Sequence, residues 1–114
     1  MKKGDNDKER ISHIDEALSF ILNHTQGKDE DAFLRDDLLK YAMLKQIEII
    51  GEAAYYLSDN LKEKYPEVEW HKIIGARHIY VHHYFQVNWL IVWEIISDDI
   101  PKMKEDIGKI IKEL

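Results

Sequence analysis

The sequence predicts an all-α protein, an antiparallel bundle of four to five helices, from its few turn-forming residues and the spacing of its apolar ones. Two prolines and five glycines interrupt 114 residues, whereas a β domain carries many turn signals. Apolar residues recur every three or four positions along most of the chain, which is the period of an amphipathic helix. The connections between these segments are short, which favours antiparallel neighbours.

The first helix is expected to begin after Asp5, Asn6 and Asp7, each a possible N-cap, and to end near Asn23 to Gly27. Its apolar residues fall on one stripe. They are Ile11, Ile14, Leu18, Ile21 and Leu22.

The second helix is predicted from about Asp31 to Ser58. Its acidic start suits the positive end of a helix dipole. Pro66 follows in a polar segment and cannot continue a helix. The apolar stripe consists of Leu39, Met43, Ile47, Ile50, Ala54 and Leu57.

A third, shorter helix is expected to begin at Glu69 or Trp70 and to run towards His82. Asn88 is the candidate cap of a fourth helix. One side of that helix carries Trp89, Val92, Trp93, Ile96 and Ile100.

Pro101 marks the end of the fourth helix or a change within it. It either kinks the fourth helix or lies in the first turn of a fifth, which Asp98 or Asp99 would cap. The apolar stripe continues in either case, through Met103, Ile107, Ile110, Ile111 and Leu114.

Composition limits the class of protein. The length suits a single domain over residues 1–114. Lys and Arg number 16 against 22 Asp and Glu, and this net charge of −6 argues against general coating of nucleic acid. The absence of cysteine excludes disulfides, zinc–thiolate sites and cysteine nucleophiles. The N-terminal residues do not resemble a secretory signal and no apolar run is long enough for a membrane span, so we expect a cytoplasmic protein with no membrane partner.

The segment WHKIIGARHIYVHHY, residues 70–84, contains no acidic residue although the chain is acidic. If an anion binds anywhere, we expect it here. The alternative is a core helix whose histidines are solvated or hydrogen-bonded. The candidate side chains are Lys72, Arg77, His71, His78, His82 and His83.

Helical geometry argues against a metal ion at these histidines. His71, His78 and His82 lie within about 20° of one line, but His71 is about 16 Å from His82 along a straight helix. His78 and His82 are the one close pair on this helix, and no carboxylate is evident as a third ligand. We expect no metal and no cofactor. A metal-dependent hydrolase that uses His78 and His82 remains an alternative hypothesis.

Arg77 and His82 are the side chains best suited to a phosphate. A guanidinium binds two phosphate oxygens, and an imidazole titrates near neutral pH. In one continuous helix they would lie about 140° apart, so they act together only if the helix ends between them or a symmetry mate supplies the partner. Both arrangements suit a two-fold dimer interface.

Arg77, His82 and Tyr84 fit the pattern R-x4-H-x-Y, and this pattern resembles the motif of the HepT-like toxins of the HEPN superfamily. The flanking segments FLRDDLLKYAMLKQIEIIGEAAYYLS, YPEVEW and VNWLIVWEIISDDIP resemble that family in content and order. The resemblance extends from about Phe33 to Pro101, roughly the whole domain.

This resemblance implies a homodimeric HEPN-like bundle that acts as a metal-independent endoribonuclease toxin on tRNA or another RNA. It implies that Arg77 and His82 are catalytic and that His78 supports them as a polar donor. It also implies that an MntA-type minimal nucleotidyltransferase, the antitoxin, transfers AMP to Tyr84. His78 and Asn88 depart from the family, in which asparagine and aspartate are frequent at these places.

Two questions stay open at the level of sequence. The competing hypothesis for function is a non-catalytic helical module that docks a nucleotide or a partner protein at the region from Arg77 to Tyr84. Glu52, in the middle of the second helix, either pairs with Arg77 across the bundle or is a solvated helix residue.

Overall fold

Helices form almost all of the chain that the computed structural model describes, residues 6–78 and 87–114, and no strand occurs in these ranges. The predicted all-α class is confirmed. A 3-10 turn, Ala76–His78, follows the fifth helix, and a π-helical segment, Ile95–Asp99, joins the sixth to the seventh. The α-helices are α1 Asp7–Thr25, α2 Glu30–Leu34, α3 Asp37–Tyr55, α4 Asp59–Lys64, α5 Trp70–Gly75, α6 Trp89–Glu94 and α7 Ile100–Glu113.

The core lies between α1, α3 and α7. Asp7 at the start of α1 accepts hydrogen bonds from the backbone N (3.0 Å) and Oγ (2.6 Å) of Ser58, just after α3, so α1 and α3 are antiparallel. Lys104 of α7 donates to Asp15 of α1 at 2.7 Å. The predicted stripe of α1 is buried except for Leu22, which is partly buried, and all six predicted stripe residues of the second helix are buried.

The prediction of one helix from Asp31 to Ser58 is wrong, because the chain breaks between α2 and α3. Asp36 has an extended backbone there, and its side chain accepts a hydrogen bond from the backbone N of Leu39 at 3.0 Å. Aspartate satisfies the free N–H groups at a helix start better than it serves a helix interior. The apolar stripe begins at Leu39 and therefore does not reveal the break.

The polar segment after α3 interrupts the helices as predicted, yet it contains the short helix α4. Ser58 caps α4 through a hydrogen bond from the backbone N of Leu61 at 3.1 Å, and the Leu61 side chain is buried. α5 begins at Trp70, as predicted. The indole N–H of Trp70 donates to the carbonyl oxygen of Tyr65 at 3.0 Å. The predicted continuation of this helix to His82 lies outside the described residues, as does the candidate cap Asp5.

Pro101 lies in the first turn of α7, which is one of the two predicted arrangements. Asp99 is the N-cap residue, but its carboxylate accepts a hydrogen bond from Lys72 Nζ at 3.0 Å instead of capping the helix. The proline lacks the N–H that an uninterrupted helix requires, and the π-helical segment ends at Asp99, two residues before it. Asn88 caps α6 as predicted, since its Oδ1 accepts from the backbone N of Ile91 at 3.3 Å.

The aromatic residues of α6 serve packing, as their spacing predicts. The rings of Trp93 and Phe33 are 5.2 Å apart, and the edge of Trp89 contacts Phe33 with centroids 6.4 Å apart. Both tryptophans are half-buried, and Val92 between them is fully buried. In the described ranges, none of the helices is both long and apolar enough to cross a membrane.

Candidate active site

Arg77 lies in the 3-10 turn and packs directly against α3. The helix approaches it through Gly51, where a Cβ would lie 2.8 Å from Arg77 Cβ and 2.9 Å from Arg77 N. It would also lie 3.0 Å from the carbonyl oxygen of Ile73 in α5. A glycine at position 51 is therefore required for this contact. The apolar pattern of the sequence gives Gly51 no role, although a glycine inside a strongly periodic helix is a signal of close packing.

Two further α3 side chains contact the guanidinium of Arg77. Its Cζ lies 3.9 Å from the centre of the Tyr55 ring, which is cation–π geometry. Its Nη1 lies 4.0 Å from Oε2 of Glu52, so of the two alternatives that the sequence leaves open for Glu52 the structure shows the pairing with Arg77. The Arg77 side chain is 17% exposed and that of Glu52 is 55% exposed. α3 thus holds a largely covered guanidinium at the edge of the protein.

His78 contacts the same guanidinium from within the turn. Arg77 Nε donates to His78 Nε2 at 3.0 Å. This bond requires a neutral imidazole whose proton is on Nδ1. His78 was expected to support the site as a donor, and towards Arg77 it is an acceptor. The structure therefore brings together Arg77 and His78, two of the four predicted site residues.

The other predicted site residues, His82 and Tyr84, and the neighbouring His83 lie outside the described residues. His71 is exposed on α5. Within the ranges 6–78 and 87–114, no group of three or more His, Asp or Glu side chains is placed to hold a metal ion.

The family profile described as Ribonuclease HepT-like matches residues 14–110 of this chain. The chain belongs to the HepT-like ribonuclease family. The resemblance seen in the sequence is thereby confirmed, and the matched region includes Arg77, His82 and Tyr84.

Relatives of this HepT-like chain carry ribonuclease names. It is 33% identical over 92 residues to the protein named Putative RNase MJ1380 of Methanocaldococcus jannaschii, covering 81% of this chain and 84% of that protein. It is 36% identical over 104 residues to Putative RNase MJ0125 of the same organism, covering 91% and 86%. It is 30% identical over 105 residues to the Probable ribonuclease HepT of Thermococcus cleftensis, covering 92% and 96%. No solved structure gives a significant match.

A cleft of about 270 Å³ lies between α3, α5 and the π-helical segment of this HepT-like fold, and its negative lining does not suit a phosphate. Five carboxylates and two lysines line it around an apolar floor, and Arg77 is not among its lining residues. The two lysines are engaged by two of the carboxylates, Lys72 by Asp99 and Lys102 by Asp106, each at 3.0 Å. The hydrogen bond to Asp99 raises the pKa of Lys72 and keeps it charged. Lys72 therefore belongs to the acidic cleft and adds little positive charge beside Arg77.

Proposed function

We propose that this HepT-like protein is a metal-independent endoribonuclease and the toxin of a toxin–antitoxin pair. The observation that carries the proposal is the placement of Arg77 within the region that the family profile matches. Its guanidinium is positioned by α3 through Gly51, Tyr55 and Glu52. The ribonuclease names of the relatives support the same activity. A net charge of −6 favours a narrow RNA substrate, such as tRNA, over RNA in general.

Cleavage of RNA without a metal requires three groups. A base takes the proton of the 2′-hydroxyl, a cation stabilises the charge of the phosphorane, and an acid protonates the leaving 5′-oxygen. Arg77 supplies the cation, because its fork of N–H donors matches two phosphate oxygens. His82 supplies the base or the acid. In a homodimer with two copies at one cleft, one His82 is the base and the other is the acid.

The bond changes of this mechanism define its product. The 2′-oxygen attacks phosphorus, the bond from phosphorus to the 5′-oxygen breaks, and the proton reaches that oxygen. The products are a 2′,3′-cyclic phosphate and a 5′-hydroxyl. If the fragments carried 3′-hydroxyl ends instead, this mechanism would be wrong.

We further propose that Tyr84 is the site at which the toxin is silenced in the cytoplasm. An MntA-type nucleotidyltransferase antitoxin would place ATP so that the Tyr84 hydroxyl attacks the α-phosphate, releases pyrophosphate and retains AMP. The motif supports this proposal, since Tyr84 occupies its tyrosine position.

The test is an RNA cleavage assay in the presence of EDTA, with the intact mass of the protein measured for added AMP. Protein of unmodified mass is expected to cleave, and Arg77→Ala and His82→Ala are expected not to. Cleavage that EDTA abolishes would instead support the metal-dependent hydrolase. RNA left intact by unmodified protein, with tRNA and total RNA as substrates, would support the non-catalytic binding module.

A further inference from the structure

Two arginines and two tyrosines form a continuous row that begins at Arg77 and ends on α1. Arg77 Cζ lies 3.9 Å from the centre of the Tyr55 ring. The Tyr55 and Tyr56 rings meet edge to face, with centroids 5.0 Å apart and an interplanar angle of 87°. Arg10 Cζ lies 5.5 Å from the centre of the Tyr56 ring. We call this row, Arg10–Tyr56–Tyr55–Arg77, the Arg–Tyr row.

The row is accessible from solvent. Tyr55 is 38% exposed, and Tyr56, Arg10 and Arg77 are partly exposed. Because it crosses from α1 over the end of α3 to the 3-10 turn, the fold positions all four side chains on one surface.

Three carboxylates lie near the row, and the structure gives each of them a charged or polar partner. Glu52 lies 4.0 Å from Arg77. Asp7, one turn before Arg10, accepts two hydrogen bonds from Ser58. Asp59, shortly after Tyr56, lies 4.0 Å from Lys62. The acidic cleft beside α5 offers no comparable pairing of guanidinium groups with aromatic rings.

We propose that the Arg–Tyr row is a subsite for an unpaired stretch of RNA next to the bond that is cut. Single-stranded nucleic acid is bound where cationic side chains follow the phosphates and aromatic rings stack on the bases. Arg10 binds a phosphate, the Tyr55 ring stacks on a base, and Arg77 binds the phosphate at the site of cleavage. The inference rests on the proposed function and specifies its substrate class as single-stranded RNA, whose bases are free to stack.

The test measures binding in the cleavage-deficient His82→Ala background, by fluorescence anisotropy of a fluorescein-labelled, unpaired RNA oligonucleotide. Tyr55→Leu is expected to weaken binding about tenfold, because one base loses its aromatic partner. Tyr55→Phe keeps the ring and is expected to lose less affinity than Tyr55→Leu. Arg10→Gln is expected to lower the slope of log affinity against log salt by about one.

Matched controls change the same residue types elsewhere on the surface. Tyr41→Leu removes an exposed tyrosine from the other end of α3, and Arg35→Gln removes an exposed arginine after α2. Both are expected to bind the oligonucleotide as the parent does. Far-ultraviolet circular dichroism establishes that every variant is folded. A folded Tyr55→Leu and a folded Arg10→Gln that both bind as tightly as these controls would overturn the inference. An oligonucleotide that does not bind the parent, or a duplex that binds as tightly as the single strand, would overturn it as well.

Failure of the inference and failure of the proposed function give different results. If the unmodified protein cleaves RNA and the row variants change neither binding nor KM, the endoribonuclease remains and the subsite is wrong. If the variants weaken binding but the unmodified protein cleaves no RNA, the subsite stands and the endoribonuclease is wrong.

Discussion

Gly51 in α3 and Arg77 in the 3-10 turn approach so closely that no side chain fits between them. The Cβ of any other residue at position 51 would lie 2.8 Å from Arg77 Cβ. This separation is shorter than van der Waals contact, and the atoms it meets belong to the backbone and the Cβ of Arg77 rather than to a flexible end. The position of the motif arginine is therefore set by a helix that lies far from it in sequence.

Gly51→Ala is expected to destabilise the protein and to impair RNA cleavage. A methyl group forced into a filled contact costs about 1–3 kcal/mol, and relief of the clash moves Arg77 away from α3. The free energy of unfolding comes from urea denaturation, and kcat/KM comes from cleavage of RNA under conditions in which the variant remains folded.

Gly108→Ala is the matched control, in the middle of α7. In the described part of the structure, nothing lies within 4 Å of a Cβ built at Gly108. Alanine there is expected to stabilise the protein by about 0.5–1 kcal/mol, because glycine is unfavourable in a helix interior. If the two variants had equal stability and equal activity, the contact between Gly51 and Arg77 would not matter.

The sequence predicts the buried helix faces well, because a periodicity of three to four residues reports which side chains share a face. It predicts helix ends less well. Asp36 interrupts the second predicted helix by capping α3, and Ser58 caps α4 inside a segment that looks like a loop. A cap stabilises only the end of its helix, so the periodicity of the apolar residues does not reveal where it lies.

The motif in the sequence predicts which residues form the candidate site but not what holds them in place. Arg77 is conspicuous in an acid-free segment, whereas its contacts with Gly51 and Tyr55 depend on how α3 packs against the 3-10 turn. For Glu52 the sequence leaves two alternatives, because its position in the helix is compatible both with pairing to Arg77 and with solvation. Tertiary packing decides between them.

Glu52→Gln is expected to strengthen RNA binding without unfolding the protein. The carboxylate lies 4.0 Å from Arg77 Nη1 and competes with an RNA phosphate for the guanidinium. A charge interaction at this distance in water is about 1 kcal/mol, so KM is expected to fall about fivefold. The free energy of unfolding is expected to change by less than about 1 kcal/mol, because the pair is partly exposed.

The control for this prediction is Glu48→Gln, one turn earlier in α3, where the carboxylate lies 3.8 Å from Lys45. It removes the same charge away from Arg77. An equal fall of KM in both variants would assign the effect to net charge rather than to the pair of Glu52 with Arg77.

Tyr65→Phe is expected to lower stability at neutral pH and to make no difference at strongly alkaline pH. The Tyr65 hydroxyl donates a hydrogen bond to Glu113 near the end of α7, and this bond raises the pKa of Tyr65 above its usual value of 10.0. The protonated phenol is favoured in the folded state. The stability that this hydrogen bond contributes is therefore fully present at a pH below the pKa of Tyr65 in the unfolded protein. It is lost as the pH rises through the pKa of Tyr65 in the folded protein. Urea denaturation of both proteins across this range measures the difference between them.

Glu113→Ala removes the acceptor and serves as the complementary variant. It is expected to return the pKa of Tyr65 towards its usual value, as followed by ultraviolet titration of the phenols with Tyr65→Phe as the subtraction blank. At a pH where Tyr65 is ionised in both the folded and the unfolded protein, wild type and Tyr65→Phe are expected to be equally stable. A difference that persists there would result from lost packing and would contradict the role of the hydrogen bond.

Asn88→Asp is expected to be at least as stable as the wild-type protein, whereas Asn88→Ala is expected to lose about 0.5–2 kcal/mol. The Asn88 side chain caps α6 by accepting from the backbone N of Ile91 at 3.3 Å, and an aspartate accepts the same bond. Its charge also interacts favourably with the start of the helix, by about 0.3–1 kcal/mol.

Asn60→Ala, at an exposed position in α4, is the control for the loss of an asparagine. Urea denaturation ranks the variants, and an Asn88→Ala loss no larger than that of Asn60→Ala would show that the cap contributes nothing. Unchanged cleavage by Asn88→Asp is the expected companion result, because either residue at this position starts α6 with the same backbone geometry.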